Sequence, residues 1–313
     1  MQHLPRSFDV VALGEAMVEF NQTHPGQPQY LQGFGGDTSN AAIAAARAGV
    51  RASYLTRLGP DLFGDALLDL WQREGIDTAA VERDAQAPTG VYFVHHGVHG
   101  HQFSYLRAGS AASRMGLDWV QSPLVRERIA QSQILHVSGI SLAISTTACA
   151  AALDAMRWAR GAGTSVSFDS NLRLKLWPLE HARVAIAQAV ALCDVFLPSL
   201  EDVTQLTGLT DPQAIVDWGH SLGARSVVLK LGAEGALVSD GQRRETVPGR
   251  RVDAVDATGA GDCFCGNLLA RLAVGDGVFD ATRYANVAAS LAVQGFGAVA
   301  PLPNEEHVRA ALG

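Results

Sequence analysis

The chain has little of what builds an extracellular, membrane or nucleic-acid-binding protein. Only four of its 313 residues are cysteines. At positions 149, 193, 263 and 265 they lack metal-ligand spacing and read as small buried hydrophobes. No uninterrupted apolar run reaches the length of a membrane span. The opening residues, MQHLPRSFD, are too short and too polar for a signal peptide ahead of the first strand, so a cytoplasmic protein is expected. Basic residues are outnumbered, 24 Lys and Arg against 31 Asp and Glu, for a net charge of −7. A general nucleic-acid binder would present the opposite balance. Anionic ligands stay compatible, because a local pocket can be positive on an acidic protein. There is no Walker A sequence, which excludes a P-loop kinase. Nor does a Gly-x-Gly-x-x-Gly follow the first strand, so a dinucleotide oxidoreductase is unsupported.

What is present is apolar bulk in β-α alternation. With 48% hydrophobic residues, the chain can bury one large core, and we read residues 1–313 as a single domain. Short apolar strands are expected at 8–14, 52–57, 133–138, 164–169, 193–197 and 225–231. Helices are expected at 40–48, 61–74, 145–162, 179–192, 211–222, 260–274 and 280–294. Such recurrence predicts a mostly parallel sheet covered on both faces. Two stretches break the rhythm. Residues 15–35 read as loops and short exposed strands, and 89–107 alternate apolar and polar around Gly97 and Gly100 like a hairpin. Together they form a small β appendage. His95, His96, His99 and His101 straddle that hairpin turn and read as solvated positions rather than a metal cluster.

Residues 251–268 carry the strongest signal. A β-compatible run (Val252, Ala254, Val255) leads into Asp256-Ala257-Thr258-Gly259-Ala260-Gly261-Asp262 and then an apolar helix. Small residues at 259–261 let backbone amides at the helix start face a phosphate. Asp262 falls in the first turn, where the helix dipole should keep a carboxylate ionised. The plainer reading makes Asp262 a helix cap. Far upstream, Gly35-Gly36-Asp37-Thr38-Ser39-Asn40 precedes an alanine-rich helix, with Asp37, Thr38 or Ser39 as its cap. The glycines permit close backbone approach, while Asp37 and Asn40 offer partners for sugar hydroxyls.

Asp256-x-Thr258-Gly259-Ala260-Gly261-Asp262 strongly resembles the C-terminal signature of the ribokinase-like carbohydrate kinases, and Gly35-Gly36-x-x-x-Asn40 resembles their N-terminal one. The resemblance covers nearly the whole chain. It implies a three-layer α/β fold with a mostly parallel central sheet and a small β lid over about 15–35 and 89–107. It also implies Asp262 as catalytic base, the 259–261 amides as an anion hole, and ATP with Mg²⁺, with a monovalent cation possible in addition.

Other segments refine the resemblance. Asp169-x-Asn171-x-Arg173-x-x-Leu176-Trp177 and Tyr105-x-Arg107-x-x-Ser110-Ala111 resemble the branch that phosphorylates 2-keto-3-deoxygluconate. That points to Gly36, Asp37, Asn40, Tyr92, Tyr105, Arg107 and Arg173 as substrate ligands. Transfer to the terminal C6 hydroxyl would give 2-keto-3-deoxy-6-phosphogluconate and ADP. Lys230, Gly232, Glu234 and Gly235 resemble the nucleotide-phosphate loop. Asn171, Arg173, Ser199, Gly259, Gly261 and Asn286 join them as nucleotide contacts. Where the family has Asn-x-x-Glu this chain has Ser199-x-x-Asp202, so either Glu201 or Asp202 organises the metal through water. Two alternatives stand beside this: a kinase of fructose, another neutral sugar or a nucleoside, and a non-catalytic sugar-acid sensor. Apolar positions of the hairpin, such as Val91 and Phe93, would need covering, most simply in a homo-oligomer joined through the lid.

Overall fold

The computed structural model describes residues 6–97 and 100–312, and His99 therefore lies outside the described residues. Strand β1 (Phe8–Leu13) leads into β2 (Met17–Gln22) and β3 (Tyr30–Gly35), followed by helix α1 (Asp37–Arg47) and β4 (Ala52–Leu55). The short strands β5 (Arg57–Leu58) and β6 (Glu82–Arg83) flank α2 (Leu62–Arg73), and β7 (Val91–Gly97) and β8 (Gly100–Leu106) form the hairpin. Then come α3 (Leu117–Val120), α4 (Pro123–Ala130), β9 (Ser132–Ser138), α5 (Gly139–Ala143), α6 (Thr146–Gly161) and β10 (Ser165–Asp169). They are followed by α7 (Leu179–Leu192), β11 (Val195–Phe196), α8 (Leu200–Thr207), α9 (Pro212–Leu222) and β12 (Ser226–Lys230). The last are β13 (Gly235–Ser239), β14 (Arg244–Pro248), α10 (Ala260–Ala273), α11 (Val278–Ala292) and α12 (Glu305–Leu312).

Eight strands form the main sheet in the order β14-β13-β12-β11-β10-β9-β1-β4. It is parallel except for β13 and β14, which pair antiparallel at one edge. Period-2 alternation explains why both faces are apolar. Val227 and Leu229 of β12 join Phe168 and Phe196 in a core under α6 and α7. Val228 points the other way, into a core with Phe264 and Leu268 of α10. A second sheet, β3-β2-β7-β8, is the lid. Its Phe20 and Phe93 rings stack 5.2 Å apart, and Phe20 also meets Phe63 of α2 edge-on.

Three expectations are corrected. No strand precedes the glycine loop; the Val255 and Asp256 amides instead donate to the Val293 carbonyl, because β14 ends at Pro248 and the chain crosses to the end of α11. Helix α1 begins at Asp37, with Gly36 at its N-cap and no side-chain cap, so Asp37, Thr38 and Ser39 lie inside its first turn. Val91 is buried and Phe93 is packed among lid aromatics; the most exposed lid apolars among the described residues are Leu31 at 70% and Leu106 at 67%, on the edge strands of the four-stranded sheet, with Phe103 and Tyr105 of β8 exposed to a lesser degree.

Candidate active site

Close helix packing brings the two signature segments together. A Cβ added to Gly266 would lie 2.2 Å from the Ala41 carbonyl oxygen, so α10 can lie this near α1 only with glycine there. Asn40 on α1 thereby donates from Nδ2 to Asp262 Oδ2 on α10 at 2.8 Å. Gly259, in the left-handed region at φ 74°, is the N-cap of α10 and no side chain caps that helix. Asp262 is therefore not a cap.

Nor does the helix start keep its carboxyl in the ordinary range. Burial, with the nearby Asp37 carboxylate, pushes Asp262 up to about 8, against the opposing Asn40 hydrogen bond. Burial also raises Asp37, whose Oδ2 accepts from Asn171 Nδ2 at 2.7 Å. Asn171 holds that position at φ 25°, the one non-glycine left-handed residue among those described. A polar residue in a sparsely populated conformation is characteristic of a functional site.

Beside this pair lies a buried ion pair. Lys230 Nζ donates to Asp169 Oδ2 at 2.6 Å, and the Cys265 thiol donates to the same oxygen at 3.2 Å. Burial, the largest single influence, would raise Asp169, but the charge and hydrogen bond of Lys230, helped by His136 and the Cys265 thiol, together hold the carboxyl below its usual range. The Lys230 ammonium would sit 3.7 Å from a Cβ on Gly261, directly beside the glycine loop. Next to it Ser199 caps α8 by accepting from the Asp202 amide. Asp202 accepts from Ser170 Oγ at 2.8 Å and is raised by burial and by Asp169, while Glu201 is exposed.

A cleft of about 900 Å³ runs between the lid and the carboxyl ends of the parallel strands. It gathers Gly36, Asp37, Asn40, Tyr92, Tyr105, Arg107, Asn171 and Arg173 with Ser199, Glu201, Asp202, Lys230, Gly232, Gly259, Gly261 and Asp262. Tyr92 stacks on Tyr105 at 5.8 Å, and its hydroxyl donates to Glu19 Oε2. Ala260, Glu234, Gly235 and Asn286 are not among the lining residues; the Asn286 amide donates instead to the Val247 and Pro248 carbonyls. Ala298 does line the cleft.

Two residues that the motifs left unassigned are central here. Asp169 ends its strand as expected, but only its pairing with Lys230, 61 positions away, reveals its part. Glu15 is fully buried and ion-paired with Arg107; an acid directly behind a buried strand was the one available signal. His95 bonds Tyr30 and Ser104, and His96 bonds Asn21. No three His, Cys, Asp or Glu side chains among the described residues converge as a metal site.

The same architecture recurs in solved proteins. A PfkB protein from Polaromonas sp. JS666 is 35% identical and superposes with a TM-score of 0.88, covering 97% of this chain and 100% of that one. Fructokinase from Vibrio cholerae O395, solved with fructose, ADP and calcium ion, is 31% identical with a TM-score of 0.86 over 98% and 100% of the chains. In sequence, 2-dehydro-3-deoxygluconokinase of Escherichia coli K12 is 32% identical over 93% of this chain and 97% of its own. The pfkB family carbohydrate kinase model matches residues 7–305. The chain belongs to that family, and is a carbohydrate kinase of ribokinase-like fold.

Proposed function

We propose that the chain transfers the γ-phosphoryl group of ATP to the C6 hydroxyl of 2-keto-3-deoxygluconate (2-dehydro-3-deoxygluconate). The observation that carries this reading is one cleft lined both by Tyr105, Arg107 and Arg173 and by Asp262 with Gly259 and Gly261. Arginine offers a carboxylate paired donors that a neutral sugar cannot use. A carboxyl at about 8 is matched to taking a hydroxyl proton near neutral pH. Asn40 orients it through Nδ2. Lys230 and the loop amides face charge gathering on the transferred group, where positioning and electrostatics supply most of the rate.

The donor set suits Mg²⁺ that arrives with nucleotide and keeps most of its water, since Asp169 is already committed to Lys230. Glu201 and Asp202 would hold that water shell, and the ion would neutralise phosphate charge. Four free cysteines fit a reducing, cytoplasmic setting. The exposed Leu31 and Leu106 of the lid fit its burial against a second copy of the chain.

A kinase of a neutral sugar is the second reading, and one observation favours it: the charge of Arg107 already has a partner in Glu15. Coupled ADP release with 2-keto-3-deoxygluconate and with fructose decides between them. The sugar acid is expected to give the larger kcat/KM; activity on fructose alone would reverse the choice.

A further inference from the structure

Of the four places where the chain crosses between body and lid, one is Glu15 itself and the other three lie against it, two on its side chain and one on its backbone. Glu15 lies two residues ahead of β2, Gly36 follows β3, Gly90 precedes β7 and Arg107 follows β8. A Cβ on Gly36 would lie 2.5 Å from the Glu15 carbonyl oxygen, and one on Gly90 3.0 Å from Glu15 Oε1. Ser110 Oγ donates to that same Oε1 at 2.5 Å. Arg107 Nη2 meets Glu15 Oε2 as an ion pair rather than an aligned hydrogen bond. The Glu15 side chain has no exposure and that of Arg107 has 11%. A carboxylate so enclosed needs a counter-charge, and the lid's returning strand supplies it. Arg107 still lines the cleft.

We infer that Glu15 is a positioning residue for substrate recognition. It anchors one edge of Arg107 at the lid junction, so that the remaining edge meets the substrate. Lid placement and recognition thereby depend on one ion pair. The inference rests on Arg107 reading the substrate, as proposed above.

The test is a double-mutant cycle in kcat/KM for 2-keto-3-deoxygluconate, with wild type, Glu15→Gln, Arg107→Leu and the double variant. Glutamine keeps the size and removes the charge. Glu15→Gln is expected to lower kcat/KM about tenfold, chiefly through KM, yet to cost less than about twofold once Arg107 is leucine. Equal losses in both backgrounds would make Glu15 merely structural and overturn the inference. Ser110→Ala, which removes only the hydrogen bond to Glu15, gives a milder arm should Glu15→Gln fold poorly. Its loss should likewise vanish in the Arg107→Leu background, and persistence there counts against the coupling. Should wild type prefer fructose, the sugar-acid reading alone falls; the same cycle run with fructose then decides the coupling by the same criterion.

Discussion

At Asp262 the helix start favours the ionised carboxylate, while burial and the Asp37 charge disfavour it. Burial wins, and the carboxyl rises to about 8. In the unfolded chain an aspartate titrates near about 3.9, so the native state binds this proton more tightly. The resulting stability is fully present below the unfolded value and is lost as pH rises through about 8. Asp37, raised by burial, acts with the same sign. Urea unfolding of the ligand-free protein between about pH 5 and pH 9 should therefore show wild type losing stability more steeply than Asp262→Asn. Parallel slopes would contradict the raised carboxyl. The sequence marks Asp262 plainly, through the Gly-Ala-Gly turn before it. It does not reveal the titration, because that depends on Asp37 and Asn40, residues more than two hundred positions away.

At the scale of elements, the contact between α1 and α10 holds the site together. Gly266 sits mid-helix, where Gly→Ala normally stabilises by roughly 0.5–1 kcal/mol. Here the sign should reverse, because the added methyl meets the Ala41 carbonyl oxygen at 2.2 Å. Gly266→Ala should destabilise by about 1–3 kcal/mol through overpacking and should lower turnover by moving Asp262 away from Asn40. Thermal unfolding beside steady-state kinetics measures both; a more stable, fully active variant would refute the close approach. The alanine-rich run 40–48 and the glycine-loop helix were each legible by composition and period. That they touch was not, since small residues signal closeness to something without naming it. The strand expected before Asp256 failed for a related reason. Alternation in Val252, Ala254 and Val255 carries no sheet partner, and the neighbouring edge is already ended at Pro248.

For the whole molecule, β-α recurrence was enough to foresee a mostly parallel sheet and a separate lid, because buried parallel strands read as apolar runs. Which lid positions stay open depended on sheet order, and only that order places Leu31 and Leu106 outward in the place of Val91 and Phe93. Light scattering at micromolar concentration should give at least a dimer, and Leu31→Asp with Leu106→Asp should dissociate it. A monomeric wild type would remove the lid contact from the account. The central claim is the substrate, and it rests on the guanidinium at the lid junction. A charge-assisted contact to a carboxylate is worth about 1.5–3 kcal/mol. The most direct measurement is the ratio of kcat/KM for 2-keto-3-deoxygluconate over fructose in wild type and in Arg107→Leu. The account predicts a fall in that ratio of about ten- to a hundredfold; an unchanged ratio would contradict it and make the neutral-sugar kinase the better reading.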